Sequence, residues 1–224
     1  MYIGWSMRTN LYTVSPETSI FKARELMDAH RISHLPVTDG KAHLVGFLTD
    51  RDLKKAWASP ATTLSVHELT YVLQKLTVGH VMTKEVMTVT PDMTIERAAA
   101  MMMERKIGGL PVVKDGKLVG IITITDLMQV LLLAMGVGEG SRRLCILVRD
   151  RIGVLAEVGR ILQAEGVNIR SIMTKPLPNH KDVWQLLVRV DEVDFTNAVK
   201  GLKDAGFPVI VEYVEDLTPF LPKP

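Results

Sequence analysis

LVGFLTDRDL at positions 44–53 returns as LVGIITITDL at 118–127, 74 positions later. A near-copy of ten residues points to an internal repeat, and a repeat constrains the architecture before any other feature does. The match extends toward the N-terminus: YTVSPETSIFKARELMDAHRISHLPV at 12–37 aligns with MTVTPDMTIERAAAMMMERKIGGLPV at 87–112, at an offset of 75. The offset falls to 74 because the second copy has a shorter turn, PVTDGKAHLVG at 36–46 against PVVKDGKLVG at 111–120.

Each copy reads as β-α-β-β-α. A short extended segment ends at Pro16 or Pro91, and Ser19 or Thr94 is placed to cap a helix. Apolar residues then recur at helical spacing: Ile20, Ala23, Leu26 and Met27, and Ile95, Ala98, Met102 and Met103. Strands are predicted near 35–37 and 110–113, followed by turns at Asp39-Gly40 and Asp115-Gly116. A further strand, 44–48 or 118–122, runs into a helix starting at Thr49 or Thr123. One unit of about 60 residues buries a marginal core, and two packed together relieve that. The expected boundaries are 1–60 for the first unit, 61–80 for a linker with a helix at 67–76, and 81–135 for the second unit.

Both copies carry G-x-x-T-x-x-D, as Gly46, Thr49 and Asp52 and as Gly120, Thr123 and Asp126. One reading is capping: Thr before the helix with an acid three residues on is a relative of the capping box, stabilising by about 0.5–2 kcal/mol. The other is ligand binding. A helix start presents unsatisfied N–H groups and positive potential. A threonine hydroxyl can donate to a phosphate, and a carboxylate one turn away can accept from both hydroxyls of a ribose. Candidate walls for an adenine slot are Val14, Ile32 and Leu35 in the first copy and Val89, Ile107 and Leu110 in the second, with Pro36 and Pro111 holding the adjoining strands extended.

These motifs in this order, twice, resemble a pair of cystathionine-β-synthase-type (CBS) domains, the Bateman module. TVSP at 13–16 and TVTP at 88–91, HLPV at 34–37 and GLPV at 109–112, and the two G-x-x-T-x-x-D motifs carry the resemblance. It implies up to two clefts for AMP, ADP, ATP or, ranked lower, S-adenosylmethionine. It assigns the ribose-binding aspartate to Asp52 and Asp126 and the phosphate-contacting threonine to Thr49 and Thr123. The copies differ beside the motif. The first has Arg51, either a phosphate contact or a solvated helix residue, and His34; the second has Ile124, Thr125 and Gly108-Gly109, with Arg105 and Lys106 nearby.

Gly136, Gly138 and Gly140 mark a boundary. Beyond it, strands at 143–148, 168–173, 183–190 and 209–214 alternate with helices ending near Gly166 and spanning 195–204. The order is βαββαβ, a ferredoxin-like plait over 141–216, with a loose tail at 217–224. One sheet face is left for a partner domain or subunit to cover. This part resembles an ACT domain, which implies amino-acid sensing near Asp150, Gly153 and Asn168; Leu155 follows the loop, and Ile152 stands where the family often has proline. A purely structural reading keeps Gly153 for a tight turn, Leu155 in the core and Asn168 as a turn residue. The whole fold is thus α/β and α+β: tandem CBS domains, then an ACT-like domain. The arrangement resembles the acetoin-utilisation protein B family.

The 224 residues are 47% apolar, and Lys plus Arg exceed Asp plus Glu by 27 to 25. Positions 1–140 hold 15 basic and 14 acidic residues, and 141–216 hold 11 of each, so neither half is built for nucleic acid. The single Cys145 excludes an internal disulfide and suits a reducing cytoplasm. No apolar run reaches 18 residues and no basic-then-apolar leader opens the chain, which argues against a membrane span or signal peptide. The six histidines form no H-E-x-x-H motif, and no G-x-x-x-x-G-K-[ST] loop exists. The expectation is therefore a non-catalytic cytoplasmic regulator, homodimeric, binding an adenine nucleotide with no metal site that can be named, and acting on an unknown protein partner or on the ACT-like domain. The rival is a homodimeric scaffold with vestigial clefts.

Overall fold

The computed structural model describes residues 1–58 and 75–222. Most of the expected linker, positions 67–74 of its helix at 67–76, and the last two tail residues therefore lie outside the described residues. The chain divides into two compact units, Met1–Met128 and Gln129–Pro224.

In the first unit, each repeat begins with a single residue in parallel pairing, Val14 with Val37 and Val89 with Val112. Helix α1 (Ile20–His30) follows, capped by Ser19, whose Oγ accepts from Lys22 N at 3.2 Å. Its buried stripe is Ile20, Ala23 and Met27. Antiparallel strands β1 (His34–Thr38) and β2 (Leu44–Thr49) then lead into α2 (Asp50–Ala58). A short helix, α3 (Val78–Val81), precedes the second copy: α4 (Ile95–Arg105), β3 (Gly109–Lys114), β4 (Lys117–Thr123) and α5 (Ile124–Ala134). Thr94 caps α4 through Arg97 N at 3.3 Å. The buried stripe of α4 is Ile95, Ala98 and Met102, whereas Met103 is 74% exposed. The adjacent methionines made the helical phase ambiguous, and packing selects Met102.

The repeat also reaches further back than residue 12. Ile3-Gly4-x-x-Met7 and Val78-Gly79-x-x-Met82 make matching contacts with opposite copies. Ile3 N donates to Met93 O and Gly4 N to Pro91 O; Val78 N donates to Thr18 O and Gly79 N to Pro16 O. Arg8 then pairs with Ile121 in the second copy, and Thr83 with Phe47 in the first. Each copy is thus completed by a segment from outside its own run. The glycine of G-x-x-T-x-x-D makes this possible. A Cβ on Gly46 would lie 2.3 Å from Met82 Sδ, and one on Gly120 would lie 2.5 Å from Met7 Sδ.

The second unit is a four-stranded antiparallel sheet in the order β6-β7-β5-β8, made of β5 (Ser141–Arg149), β6 (Ile169–Pro176), β7 (Val183–Asp191) and β8 (Val209–Ile210). Helices α6 (Val154–Ala164) and α7 (Phe195–Asp204) complete the βαββαβ order. Alternation along β5 separates two faces. Leu144, Ile146 and Val148 join the helix-side core with Val158, Leu162 and Ala198. Cys145 and Leu147 face the other way, with Leu177 and Val183.

Two expectations change here. The last strand is two residues long, because the chain leaves the sheet at Val211, 39% exposed, ahead of Tyr213, 89% exposed. The described part of the tail is not loose: Leu217, Phe220 and Leu221 pack on the Cys145 face. Apolar burial at about 25 cal/mol per Å² drives that return. Part of the open face is thereby covered by the chain's own end. Cys145 is buried, and burial raises the pKa of its thiol.

Candidate functional site

The two Thr–Asp pairs make the same three hydrogen bonds, with distances that agree to 0.1 Å. Thr49 Oγ1 donates to Asp52 Oδ2 at 2.6 Å, Thr49 N donates to the same oxygen at 3.0 Å, and Asp52 N donates to Thr49 Oγ1 at 3.2 Å. In the second copy the three distances are 2.6, 2.9 and 3.3 Å, between Thr123 and Asp126. The capping reading is therefore realised at both helix starts. It leaves the outer carboxylate oxygen, Oδ1, to decide what else each aspartate can do.

Each helix start borders a cavity drawn from both copies: Thr49 and Asp52 both line the first, whereas Thr123 lines the second and Asp126 does not. The first cleft, about 540 Å³, takes Thr49, Asp50, Arg51, Asp52 and Lys55 from the first copy, and Arg105, Lys106 and Ile107 from the second. Val86 and Met87 add apolar wall. The second cleft, about 300 Å³, takes Thr123, Ile124 and Thr125 from the second copy, with Ile32, Ser33 and His34 from the first; Arg8 and Tyr12 close its side. Both volumes fall in the range of small-ligand pockets, about 300–1,000 Å³.

Of the six expected wall residues, Ile107 lines the first cleft and Ile32 the second, each opposite the other copy's helix start. Leu35 and Leu110 are fully buried and Val89 is 2% exposed, so they form core beneath the clefts. Val14 borders a separate open depression with Thr13, Ser15 and Asp39. The alternation of a strand sends Leu35 and Val37 to the core together. The wall is supplied instead by residues at strand entry and by the segments 8–12 and 83–87. Sequence reading missed Arg8, Tyr12, Val86 and Met87. The signal that would have found them is the Ile3-Gly4-x-x-Met7 and Val78-Gly79-x-x-Met82 match.

His34 and Gly108 border both clefts. His34 stacks on Phe47 with ring centroids 5.7 Å apart, and its Nδ1 lies 3.0 Å from Ser33 Oγ. A Cβ on Gly109 or Gly108 would come within 3.1 Å of that ring, so the glycine pair makes room for the histidine. Burial holds the imidazole pKa below its ordinary value, opposed by Asp50, Asp126 and Asp52. The Asp50 carboxylate is held below its ordinary range by the hydrogen bond from Lys54, 2.8 Å away.

The decisive inequality is at the outer oxygens. Asp126 Oδ1 receives Arg8 Nε at 2.8 Å and Arg8 Nη2 at 2.8 Å, with the Asp126 side chain 7% exposed. Asp52 Oδ1 has no partner among the described residues.

In the second unit, Asp150, Gly153 and Asn168 are all exposed. Gly153, at φ 89°, starts α6 in the left-handed region, which favours glycine. Asn168 N donates to Asp194 Oδ2 at 3.3 Å. Leu155 is 46% exposed, not core, and Ile152 is fully exposed. A cavity of about 280 Å³ lies nearby, lined by Arg149, Arg151, Val154, Phe207 and Pro219 among others, but by none of the three expected residues. Among the described residues no cluster of three His, Cys, Asp or Glu side chains is placed to hold a metal, and no helix is long and apolar enough to cross a membrane.

A paired-repeat unit with a Thr–Asp helix start at each cleft, followed by a ferredoxin-like plait, defines the class of protein by its fold: tandem β-α-β-β-α repeats ahead of a βαββαβ domain. The CBS domain model matches residues 3–59 and 78–133, and the ACT domain model matches 143–206. The chain belongs to the CBS-domain family and carries an ACT domain after its CBS pair. It is 32% identical over 127 residues to a CBS domain-containing protein of Dictyostelium discoideum, covering 56% of this chain and 88% of that one. It is 35% identical over 126 residues to the inosine-5'-monophosphate dehydrogenase of Staphylococcus aureus, but over 23% of that enzyme and within the CBS part alone.

Among solved structures, CBSX2 in complex with AMP is 33% identical with a TM-score of 0.50, covering 59% of this chain and 96% of that one. The CBS pair of MJ0100, in complex with 5'-methylthioadenosine and S-adenosyl-L-methionine, is 29% identical at 0.51, covering 58% and 95%. A putative acetoin utilization protein from Vibrio cholerae is 28% identical at 0.51, covering 59% and 91%.

Proposed function

We propose that this chain is a regulatory receptor for an adenosine-based ligand held in its CBS clefts, with the ligand state passed to a partner protein or to the ACT domain. The observation that carries the reading is the Thr49–Asp52 pair at a helix start, opening onto a cavity with an apolar wall and four cationic side chains, Arg51, Lys55, Arg105 and Lys106. None of those four is in an ion pair among the described residues. With Asp50, Asp52 and Glu85 in the same lining, the four cations leave a small positive excess, which favours a phosphorylated adenosine, AMP, ADP or ATP, over the sulfonium of S-adenosylmethionine. Relatives solved with AMP or with S-adenosylmethionine support the adenosine core of the ligand. A role in acetoin utilisation rests on one structural relative and is the outer reach of the proposal.

A second copy of the chain is the proposed partner in assembly. Ile124, Met128, Leu131 and Leu132 are exposed at 37–53% at helical spacing along α5, an apolar row suited to a twofold contact. The rival scaffold reading draws on the same row. Amino-acid sensing near Asp150, Gly153 and Asn168 is a separate proposal for residues 141–216.

Calorimetry with AMP, ADP, ATP and S-adenosylmethionine separates receptor from scaffold. The expected result is saturable binding of at least one. Asp52→Ala is expected to lower that affinity by roughly 10- to 100-fold, since hydrogen bonds to a charged group contribute about 1.5–3 kcal/mol. No heat and no shift in Tm with any of the four ligands leaves the scaffold.

A further inference from the structure

We infer that the two clefts are unequal by construction: the Asp52 cleft is the adenosine site, and Arg8 keeps the Asp126 cleft closed to a ribose. This rests on the adenosine reading above and names where that reading operates.

An ionised carboxylate offers about four lone-pair positions on two oxygens. At Asp126, Thr123 uses Oδ2 twice and Arg8 places two donors on Oδ1. Both oxygens are thus engaged by the protein, and the side chain is almost wholly buried. At Asp52 the threonine takes the same two contacts on Oδ2, and Oδ1, beside the larger cavity, has no partner among the described residues. A ribose diol brings two hydroxyl donors and needs acceptors ready for them. The Asp52 side chain offers such an oxygen, whereas a ligand at Asp126 would first have to expel a guanidinium. A neutral sugar hydroxyl replaces an ionic, two-donor contact poorly. Breaking a pair around a buried charge also costs heavily in its own right.

The pseudo-symmetry identifies the cause. Arg8 and Thr83 occupy matching positions, each bridged to the strand before its helix start, Arg8 to Ile121 and Thr83 to Phe47. Thr83 is exposed and makes no side-chain contact to Asp52 among the described residues. One substitution between the copies therefore sets the state of the carboxylate. The cavity volumes follow suit, about 300 Å³ beside Arg8 against about 540 Å³ beside Thr83.

The test is calorimetric stoichiometry with AMP on the full chain, in four forms: wild type, Asp52→Ala, Arg8→Gln, and Arg8→Gln combined with Asp126→Ala. Circular dichroism checks that each is folded, and Arg8→Thr, the residue type that stands at the matching position in the first copy, serves if Arg8→Gln is not. The expected counts at wild-type affinity are one site per chain in wild type, none in Asp52→Ala, whose site is weakened roughly 10- to 100-fold, two in Arg8→Gln, and one again in the double variant. Two equivalent sites in wild type overturn the inference. So does a single site whose affinity Asp52→Ala leaves unchanged. An Arg8→Gln chain that stays at one site, or binds AMP more weakly, overturns it too, the latter by making Arg8 a ligand contact. If neither wild type nor Arg8→Gln binds AMP, ADP, ATP or S-adenosylmethionine, the adenosine reading itself fails and this inference falls with it.

Discussion

The first and second clefts share a motif, a local geometry and an origin in one repeat, yet they differ at one oxygen. In both, threonine and aspartate close the same ring of hydrogen bonds at a helix start. Beyond that ring, Asp126 is tied to Arg8 and Asp52 is not. A motif thus specifies how its own residues face one another. What stands on its open side is specified by another segment of the chain, and that segment was free to diverge.

Substitutions in matched pairs probe how deep the likeness runs. Leu48 and Ile122 occupy the same place in the two hairpins and are both fully buried. Changing either to Ala should destabilise by about 2–5 kcal/mol, through lost apolar transfer plus a residual cavity. Denaturant melts should show two similar losses, and a several-fold inequality would mean that the repeats do not share equally in the core.

Arg8 and Thr83 are the pair where the copies should part. Arg8→Ala removes the counter-charge of a buried carboxylate and should cost about 1–3 kcal/mol, moderated by the half-exposed guanidinium. Thr83→Ala, at an exposed position, should stay within about 0.5 kcal/mol. Equal effects in thermal melts would remove the energetic basis for treating the clefts as different.

A smaller effect should come from His34, which borders both. Its folded pKa is depressed below 6.5 by burial. The unfolded chain therefore takes up the proton more readily than the folded one. The stability this position contributes is fully present above pH 6.5 and is lost as pH falls through the folded value. Tm should decline between pH 7.5 and 5.5, and His34→Gln should flatten that decline. An unchanged slope in the variant would show that His34 does not titrate in this window.

Much of the architecture was legible beforehand because it rests on local rules. Ser19 and Thr94 cap their helices as their positions suggest, and Asp115 and Gly116 both take positive φ in the tight turn. The plait order β6-β7-β5-β8 follows from five short connections. The misplacements have physical causes. Met102 and Met103 are adjacent and equally apolar, so periodicity alone could not choose between them. Val14, Leu35, Val89 and Leu110 lie on strands neighbouring the motif, which suggests a wall, but a half-buried strand turns its alternate residues inward. The tail looked loose because prolines and polar residues dilute it, while Leu217, Phe220 and Leu221 find an apolar face that no local pattern announces.

The amino-acid order alone settled the doubled β-α-β-β-α plan, the plait that follows and the two Thr–Asp helix starts, because each is written in contacts between near neighbours. Tertiary structure alone decided that each cleft borrows its wall from the opposite copy, and that Arg8 reaches Asp126 across 118 positions. Such pairings depend on which distant segments are brought within about 3 Å, and charge at that range outweighs any preference encoded in spacing along the chain.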